Sequence, residues 1–382
     1  MSKLLLRAIA LVCAVSVCSA SLTGCSDNNS ASNSSPSSSE SSTDSQKDSL
    51  DQSAADSKAA LQADIDKIEY NAEKDFAYEV GEDGITILAY AGTATIVKIP
   101  EQIEGKDVVK INDYAFDGNI KDEDMTEDKT AAEVNPASVI EAVIIPNTVK
   151  TIGKGAFANG RNIQFVKFSE NLEFIDEGAF ACCDKMASLE IPDSVKEIGP
   201  YAFYECWSLI DVIIGKSVEK IGDYAFYQCY EMKTFEIPDS VTTLGKGVFW
   251  KCDYLTEITL GSGITEISDY LFYLCVMLTK LNYKSDITSI GEGAFTWCSS
   301  LADAQIPETV TTIGKGAYYC CEKLTEVSVP SGVTEIGEHA FGFYEDEEVS
   351  NPKLVEGYVI KGKAGSAAEQ YASSNSIEFK KN

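Results

Sequence analysis

Ile198-Gly199-Pro200-Tyr201-Ala202-Phe203 returns 23 residues later as Ile221-Gly222-Asp223-Tyr224-Ala225-Phe226, and related hexads keep that register from Ile152 to Phe341. Ile or Leu opens the hexad at 152, 175, 198, 221, 244, 267, 290, 313 and 336, and Phe or Tyr closes it at 157, 180, 203, 226, 249, 272, 295, 318 and 341. A fixed period in the twenties marks a solenoid, in which each short unit buries its apolar face only by stacking on copies of itself.

Within residues 183–205 the apolar positions are Met186, Leu189, Ile191, Val195, Ile198, Ala202 and Phe203, and each recurs as an apolar residue in most other copies, so these are the expected core columns. Burying a large apolar side chain contributes roughly 1.5–3 kcal/mol, against about 1–2 kcal/mol of backbone entropy for each residue ordered. One repeat alone loses that contest; a stack wins it. Leu189-Glu190-Ile191-Pro192 alternates apolar and polar and stops at a residue without a backbone donor, which reads as a short strand and its terminator. Its equivalents are expected to form one parallel sheet. The hexad reads as a second short extended piece followed by a single helical or 3-10 turn. The fold class is therefore an α/β, β-rich solenoid of 23-residue coils with caps at both ends.

The consensus Ile-Gly-x-x-Ala-Phe-x-x-Cys-x-x-Leu-x-x-Val-x-Ile-Pro-x-x-Val resembles the BspA-type leucine-rich repeat, over residues 137–344 and, through Ile111-Asn112-Asp113-Tyr114-Ala115-Phe116, further upstream. The resemblance implies a surface or secreted bacterial protein with a solenoid scaffold and a part in attachment. Flanking pieces also match what such proteins carry: a leading hairpin at Phe76–Pro100 and a closing segment from Gly357 to Phe379.

Lys3 and Arg7 precede an apolar run, Ala8 to Ser21, that is too short to span a bilayer and is followed by Leu22-Thr23-Gly24-Cys25. This resembles a lipobox, and by that analogy residues 1–24 are a signal peptide and Cys25 carries the lipid on the outer face of the cell membrane. Residues 25–64 are rich in Ser, Asn, Asp and Ala and read as a disordered tether, with a reach of roughly 30 Å for about 30 residues. An N-terminal strand cap at 65–105, a solenoid at 106–344 and a C-terminal cap at 345–382 complete the expected organisation. The downstream cap should include a capping box, Ser366-Ala367-Ala368-Glu369, opening a short helix.

The formal net charge is −29, from 31 Lys and Arg against 60 Asp and Glu. No basic stripe is present for counterion-release binding, so nucleic acid is not an expected partner, and membrane contact is expected through the lipid only. Cys183, Cys206, Cys229, Cys252, Cys275, Cys298 and Cys321 form one column at the repeat period, with Cys182 and Cys320 beside two of them. Rungs roughly 5 Å apart allow a metal-thiolate array or disulfide staples; the alternative is a column of small buried residues. His339 is the sole histidine, placed in the last hexad as a rim residue, and no phosphate loop, zinc-ligand spacing or apolar-flanked carboxylate pair occurs. A binding protein without catalytic residues, metal or cofactor is expected.

Two surfaces are candidate binding faces. One is the outward strand column Ile144, Lys167, Glu190, Ile213, Glu236, Thr259, Asn282, Gln305 and Ser328, whose identity changes from coil to coil. The other is the aromatic row after the hexad: Tyr204, Tyr227, Trp250 and Tyr273, joined by Tyr319 and flanked by Trp207, Tyr230, Tyr254 and Trp297. Rings of this kind suit sugars and protein hot spots alike, or serve only the packing of the outer turn. Between Phe116 and Ala137 the register carries 18 extra residues, an acidic insertion at 117–136 that reads as a solvated bulge and lacks the ligand pattern of an EF-hand. The expected function is that of a lipid-anchored, monomeric surface module for attachment to host or microbial macromolecules, with a protein or glycan ligand. Alternatives are a glycan-capturing lipoprotein of a nutrient system and a structural envelope protein.

Overall fold

The computed structural model describes residues 67–119, 135–346 and 349–382. The expected signal peptide, Cys25, the whole of the tether and the body of the acidic insertion lie outside the described residues. The chain divides after Tyr70. The described residues from Asn71 onward build a stack of coils, most of them made of a strand of about three residues, a tight turn, a two-residue strand and a series of turns.

The two strands of each coil line two different faces. On one face the short strands run in parallel register from coil to coil, so that Ile198 stands beside Ile175 and Ile221, and Ile221 beside Leu244. This ladder starts at the antiparallel hairpin Phe76–Val80 and Ile85–Tyr90, passes through Lys106–Ile111, and continues to Thr243–Leu244. A further four strands, Glu266–Ile267 to Glu335–Ile336, extend it. On the other face the longer strands pair in short groups, among them Ser188–Glu190 with Asp211–Ile213 and Thr234–Glu236 with Glu257–Leu260 and Lys280–Tyr283. The single parallel sheet expected from the Leu-x-Ile-Pro pieces is thus corrected to two strand stacks, each of them subdivided.

That second face is interrupted at residues 301–306, which form no strand. Asp303 accepts a hydrogen bond on its side chain from the Gln305 N–H at 3.0 Å, and Gln305 takes φ +45°. This local turn competes with the ladder for the backbone donor. Ala304, where other coils place Leu, Val, Ile or Phe, leaves room for the longer Tyr318, whose hydroxyl donates to the Ala304 carbonyl at 3.4 Å. Gln305 is therefore not part of a continuous outward strand column. Ile144 departs as well: it is buried beside Lys98, whose backbone N–H and C=O are both bonded by Asn71.

The core is a column of rings, Phe116, Phe157, Phe180, Phe203, Phe226, Phe249, Phe272, Phe295, Tyr318 and Phe341. Neighbouring centroids lie 4.7 to 6.0 Å apart, and every ring is essentially fully buried. Each stacked pair contributes about 0.5–1.5 kcal/mol beyond the area it removes from water. The cysteine column runs beside it. Each of the seven thiols donates back to the carbonyl of the Phe in the preceding coil, from Cys183 to Phe157 at 3.5 Å through Cys275 to Phe249 at 3.0 Å. Most of these carbonyls also receive a turn bond, from Cys275 N–H to Phe272 O at 3.0 Å to Cys206 N–H to Phe203 O at 3.4 Å. A small side chain with a weak donor fits the place, and burial pushes every one of these thiols up. The nine described cysteines are free thiols, which favours the small-residue reading of the column over disulfide staples.

Close approach of the coils dictates the glycine after the hexad's Ile. A Cβ on Gly245 would lie 2.4 Å from the backbone nitrogen of Asp223 in the previous coil. The C-terminal cap is a helix, Ala367–Ser374, followed by the strand Glu378–Lys381, which pairs parallel with Val359–Gly362. The expected capping box is not formed. Glu369 accepts from Gly365 N–H rather than from Ser366, and the Ser366 hydroxyl makes no cap bond.

Candidate functional site

The coils from Gly155 to Gly316 each have two residues in the left-handed backbone region, and those of Tyr114 and His339 have the first of them. One is the fourth place of the hexad, occupied by Tyr114, Gly155, Gly178, Tyr201, Tyr224, Gly247, Tyr270, Gly293, Gly316 and His339, with φ between +54° and +61°. The other is the residue before the cysteine column, from Asn159 (φ +56°) to Cys320 (φ +59°). At the fourth place the sequence uses only Gly, Tyr and His. The tyrosine rings there lean onto the following coil. A Cβ added to Gly247 would strike the Tyr224 ring at 2.5 Å, and one added to Gly293 the Tyr270 ring at 2.6 Å. Where two tyrosines follow one another, Tyr201 and Tyr224, they stack at 5.3 Å and 16°.

This second column of rings joins the first. Tyr204 stacks on Tyr227 at 4.8 Å and 7°, Tyr227 meets Trp250 at 6.0 Å, and Trp250 meets Tyr273 at 4.4 Å. Cross-contacts close the patch, from Tyr201 to Tyr204 at 5.8 Å, Tyr224 to Trp250 at 6.0 Å and Trp250 to Tyr270 at 5.6 Å. Trp250 sits over Gly247 and touches four rings. Seven aromatic side chains thus form one partly exposed surface over four coils.

The expected row of Tyr204, Tyr227, Trp250 and Tyr273 is brought together. Tyr319 is not: Thr296 stands between it and Tyr273, buried and donating to the Gly316 carbonyl at 2.7 Å. Of the flanking residues, Trp207 reaches Tyr230 at 6.5 Å, and Lys251 lies 5.7 Å over the Tyr230 ring. Tyr201, Tyr224 and Tyr270 were not in the expected row; the Gly-or-Tyr choice at the fourth place is the signal that marks them. Of the strand column, Glu190 and Glu236 are exposed, Asn282 donates to Glu257 and Thr259, and Glu236 pairs with Lys284 at 2.7 Å. These residues belong to the longer-strand face and are not part of the aromatic patch. His339 occupies the Tyr place of the last hexad, its ring on Phe343 at 4.6 Å.

Carboxylates border the rings. Tyr270 donates to Glu292 at 2.5 Å, and that bond, with burial, pushes its hydroxyl up to about 12. Burial and the Glu205 carboxylate push Tyr204 up as well, and the Gln228 amide lies between Glu205, Lys251 and the Tyr230 hydroxyl. The patch can offer apolar edges, hydroxyl donors and negative charge. Among the described residues no group of His, Cys, Asp and Glu is arranged to hold a metal ion.

A repeat of this length, with in-register parallel strands, a buried Phe column and variable turns, defines a leucine-rich-repeat solenoid, a scaffold class that presents surfaces. The family model for the BspA type leucine rich repeat region matches six copies over residues 132–253 and 219–345, and the chain belongs to that family. Solved structures similar to it include a leucine-rich repeat protein of T. pallidum (25% identity, 62% of this chain and 92% of that one, TM-score 0.44). A leucine-rich cell surface protein of Faecalibacterium prausnitzii is similar too (22% identity, 74% and 96%, TM-score 0.38), as is a leucine-rich repeat protein of Bacteroides ovatus (20% identity, 82% and 100%, TM-score 0.33). No match was found among the curated proteins.

Proposed function

We propose that this protein is a non-enzymatic binding module of the bacterial cell surface that attaches to a protein partner through the aromatic patch between Tyr201 and Tyr273. The carrying observation is the two-column ring surface itself. Tyr and Trp are the residues that dominate protein-binding hot spots, and they cluster here on a rigid, repetitive support. Interior rings of the patch spend their faces on one another, from Tyr204 on Tyr227 to Trp250 on Tyr273. Edges and hydroxyls remain for a partner, an arrangement that suits a flat protein contact better than a sugar ring, which needs an open face. The lipobox-like Leu22-Thr23-Gly24-Cys25 supports attachment to the outer face of the cell membrane through Cys25.

The test is an array of matrix proteins and glycans probed with the protein lacking residues 1–24. Saturable binding to a protein is expected, weakened about thirtyfold or more by Trp250→Ala with Tyr227→Ala, while the melting temperature stays within the range of other surface substitutions. Binding that survives both substitutions would remove the patch from the interface. Cys25→Ser is expected to move the protein from the membrane fraction to the medium; retention in the membrane fraction would end the lipid reading.

A further inference from the structure

The patch of rings has an open end. The coil before Tyr201 and Tyr204 carries Gly178 and Ala181 at the two places where later coils put rings. One coil further back, the Tyr114 ring fills the space over Gly155, which a Cβ there would meet at 2.5 Å. Over Gly178 nothing does so: the nearest atom to a Cβ at that place is Cβ of Ala181, at 3.9 Å. The result is a notch about one coil wide, floored by Gly178 and Ala181. On its far side stand Tyr201, 39% exposed, and Tyr204, whose ring contacts are with each other and with Tyr224 and Tyr227 in the following coil.

Its rim is acidic. Glu177 adjoins Gly178 and is paired with Lys154 at 2.8 Å. Glu205 lies beside Tyr204 and within 3.9 Å of the Cys182 sulfur, one residue from Ala181. Asp184, in the same coil, accepts from Arg161 on Oδ2 at 3.0 Å, while its Oδ1 is buried and accepts no hydrogen bond.

We propose that this notch receives an arginine side chain of the partner protein, the guanidinium stacking on Tyr201 and Tyr204 and donating to the Glu205 carboxylate. The proposal rests on the reading of the aromatic patch as a protein-binding surface. Arginine fits better than lysine because its planar, weakly hydrated cation both stacks on a phenol ring and offers a fork of donors to carboxylates. An aromatic side chain would leave the acidic rim unanswered, and a neutral sugar would gain nothing from its charge.

The probe is a fluorescein-labelled hexa-arginine peptide, titrated by polarisation against the full chain at two salt concentrations. Saturable binding is expected, with hexa-lysine several-fold weaker. The charge-neutral pair Tyr201→Ala and Tyr204→Ala is expected to weaken the arginine peptide about tenfold. Ala181→Phe, which fills the notch and leaves both tyrosines in place, is expected to do the same, and Tyr319→Ala, outside the patch, to leave binding unchanged. Equal binding of both peptides, or indifference to the notch variants, would overturn the proposal, since bulk attraction to a chain of charge −29 would then account for the signal. Capture of cellohexaose, lost in the notch variants while hexa-arginine is not, would overturn it in favour of a carbohydrate occupant. Loss of protein-partner binding in Trp250→Ala with no effect of the notch variants on the arginine peptide removes this inference alone. Partner binding that survives Trp250→Ala removes the underlying reading instead.

Discussion

Gly247 and Gly178 have nearly the same backbone, φ +56° and +61°, but different neighbours. An alanine at either would carry the left-handed penalty of about 1–2 kcal/mol. At Gly247 the new methyl would also meet the Tyr224 ring. Gly247→Ala is expected to cost about 1–2 kcal/mol more than Gly178→Ala in denaturant unfolding, with a change in near-ultraviolet circular dichroism that Gly178→Ala lacks. Equal costs would mean that the Tyr224 ring is not seated on Gly247. The same comparison shows what a single sequence withholds. The hexad's Ile and Phe were legible because their period is fixed and their chemistry constant. The fourth place was not, because Gly and Tyr look unrelated until one sees that both answer one backbone angle, glycine by having no side chain and tyrosine by laying its ring on the next coil.

At the scale of the element, the cysteine column makes a pH prediction. Burial raises all seven thiols in the folded protein above their ordinary value near 9. A group whose pKa is raised by folding adds stability that is fully present below the unfolded pKa and is lost as pH climbs toward the folded one. Stability should therefore be flat in this respect below about pH 8 and fall above about pH 9, by up to about 1.4 kcal/mol per pH unit for each thiol. Replacing Cys229, Cys252 and Cys275 by Ala should reduce that alkaline slope by about three thiols' share; an unchanged slope would show that the column does not carry it. The sequence marked this column by spacing alone, and spacing could not distinguish a thiol that donates to a Phe carbonyl from one that binds metal. Asp303 is the opposite case. Its side-chain bond to Gln305 N–H was within reach of the sequence, since Asp commonly makes such turns, but the periodicity around it argued for a strand.

For the whole molecule, stability should behave as a sum of coils and of the interfaces between them. Removing residues 247–269, one full period, joins Lys246 to Tyr270 and restores an uninterrupted hexad, Leu244-Gly245-Lys246-Tyr270-Leu271-Phe272. That deletion is expected to leave a folded protein with a single cooperative transition at a lower melting temperature. Removing residues 247–270 instead leaves the junction coil one residue short of its period and should lower the melting temperature further. A deletion series that showed no dependence on register would contradict the stacked core. Solenoid and caps were legible because both are written in periodicity and its loss. The patch and its open end were not, because they depend on which coil follows which, a relation that exists only between neighbours in the stack.

The choice of Gly or Tyr at the fourth place carries a consequence for heredity. A ring can lie on a glycine, as Tyr224 does on Gly247, or on another ring, as Tyr201 does on Tyr224, and a glycine places no demand on what comes after it. Almost any order of these two letters can therefore be packed. Unequal crossing-over between the DNA of two coils, which adds or drops whole 23-residue units, would lengthen, shorten or rearrange the exposed face without asking the interior to adapt.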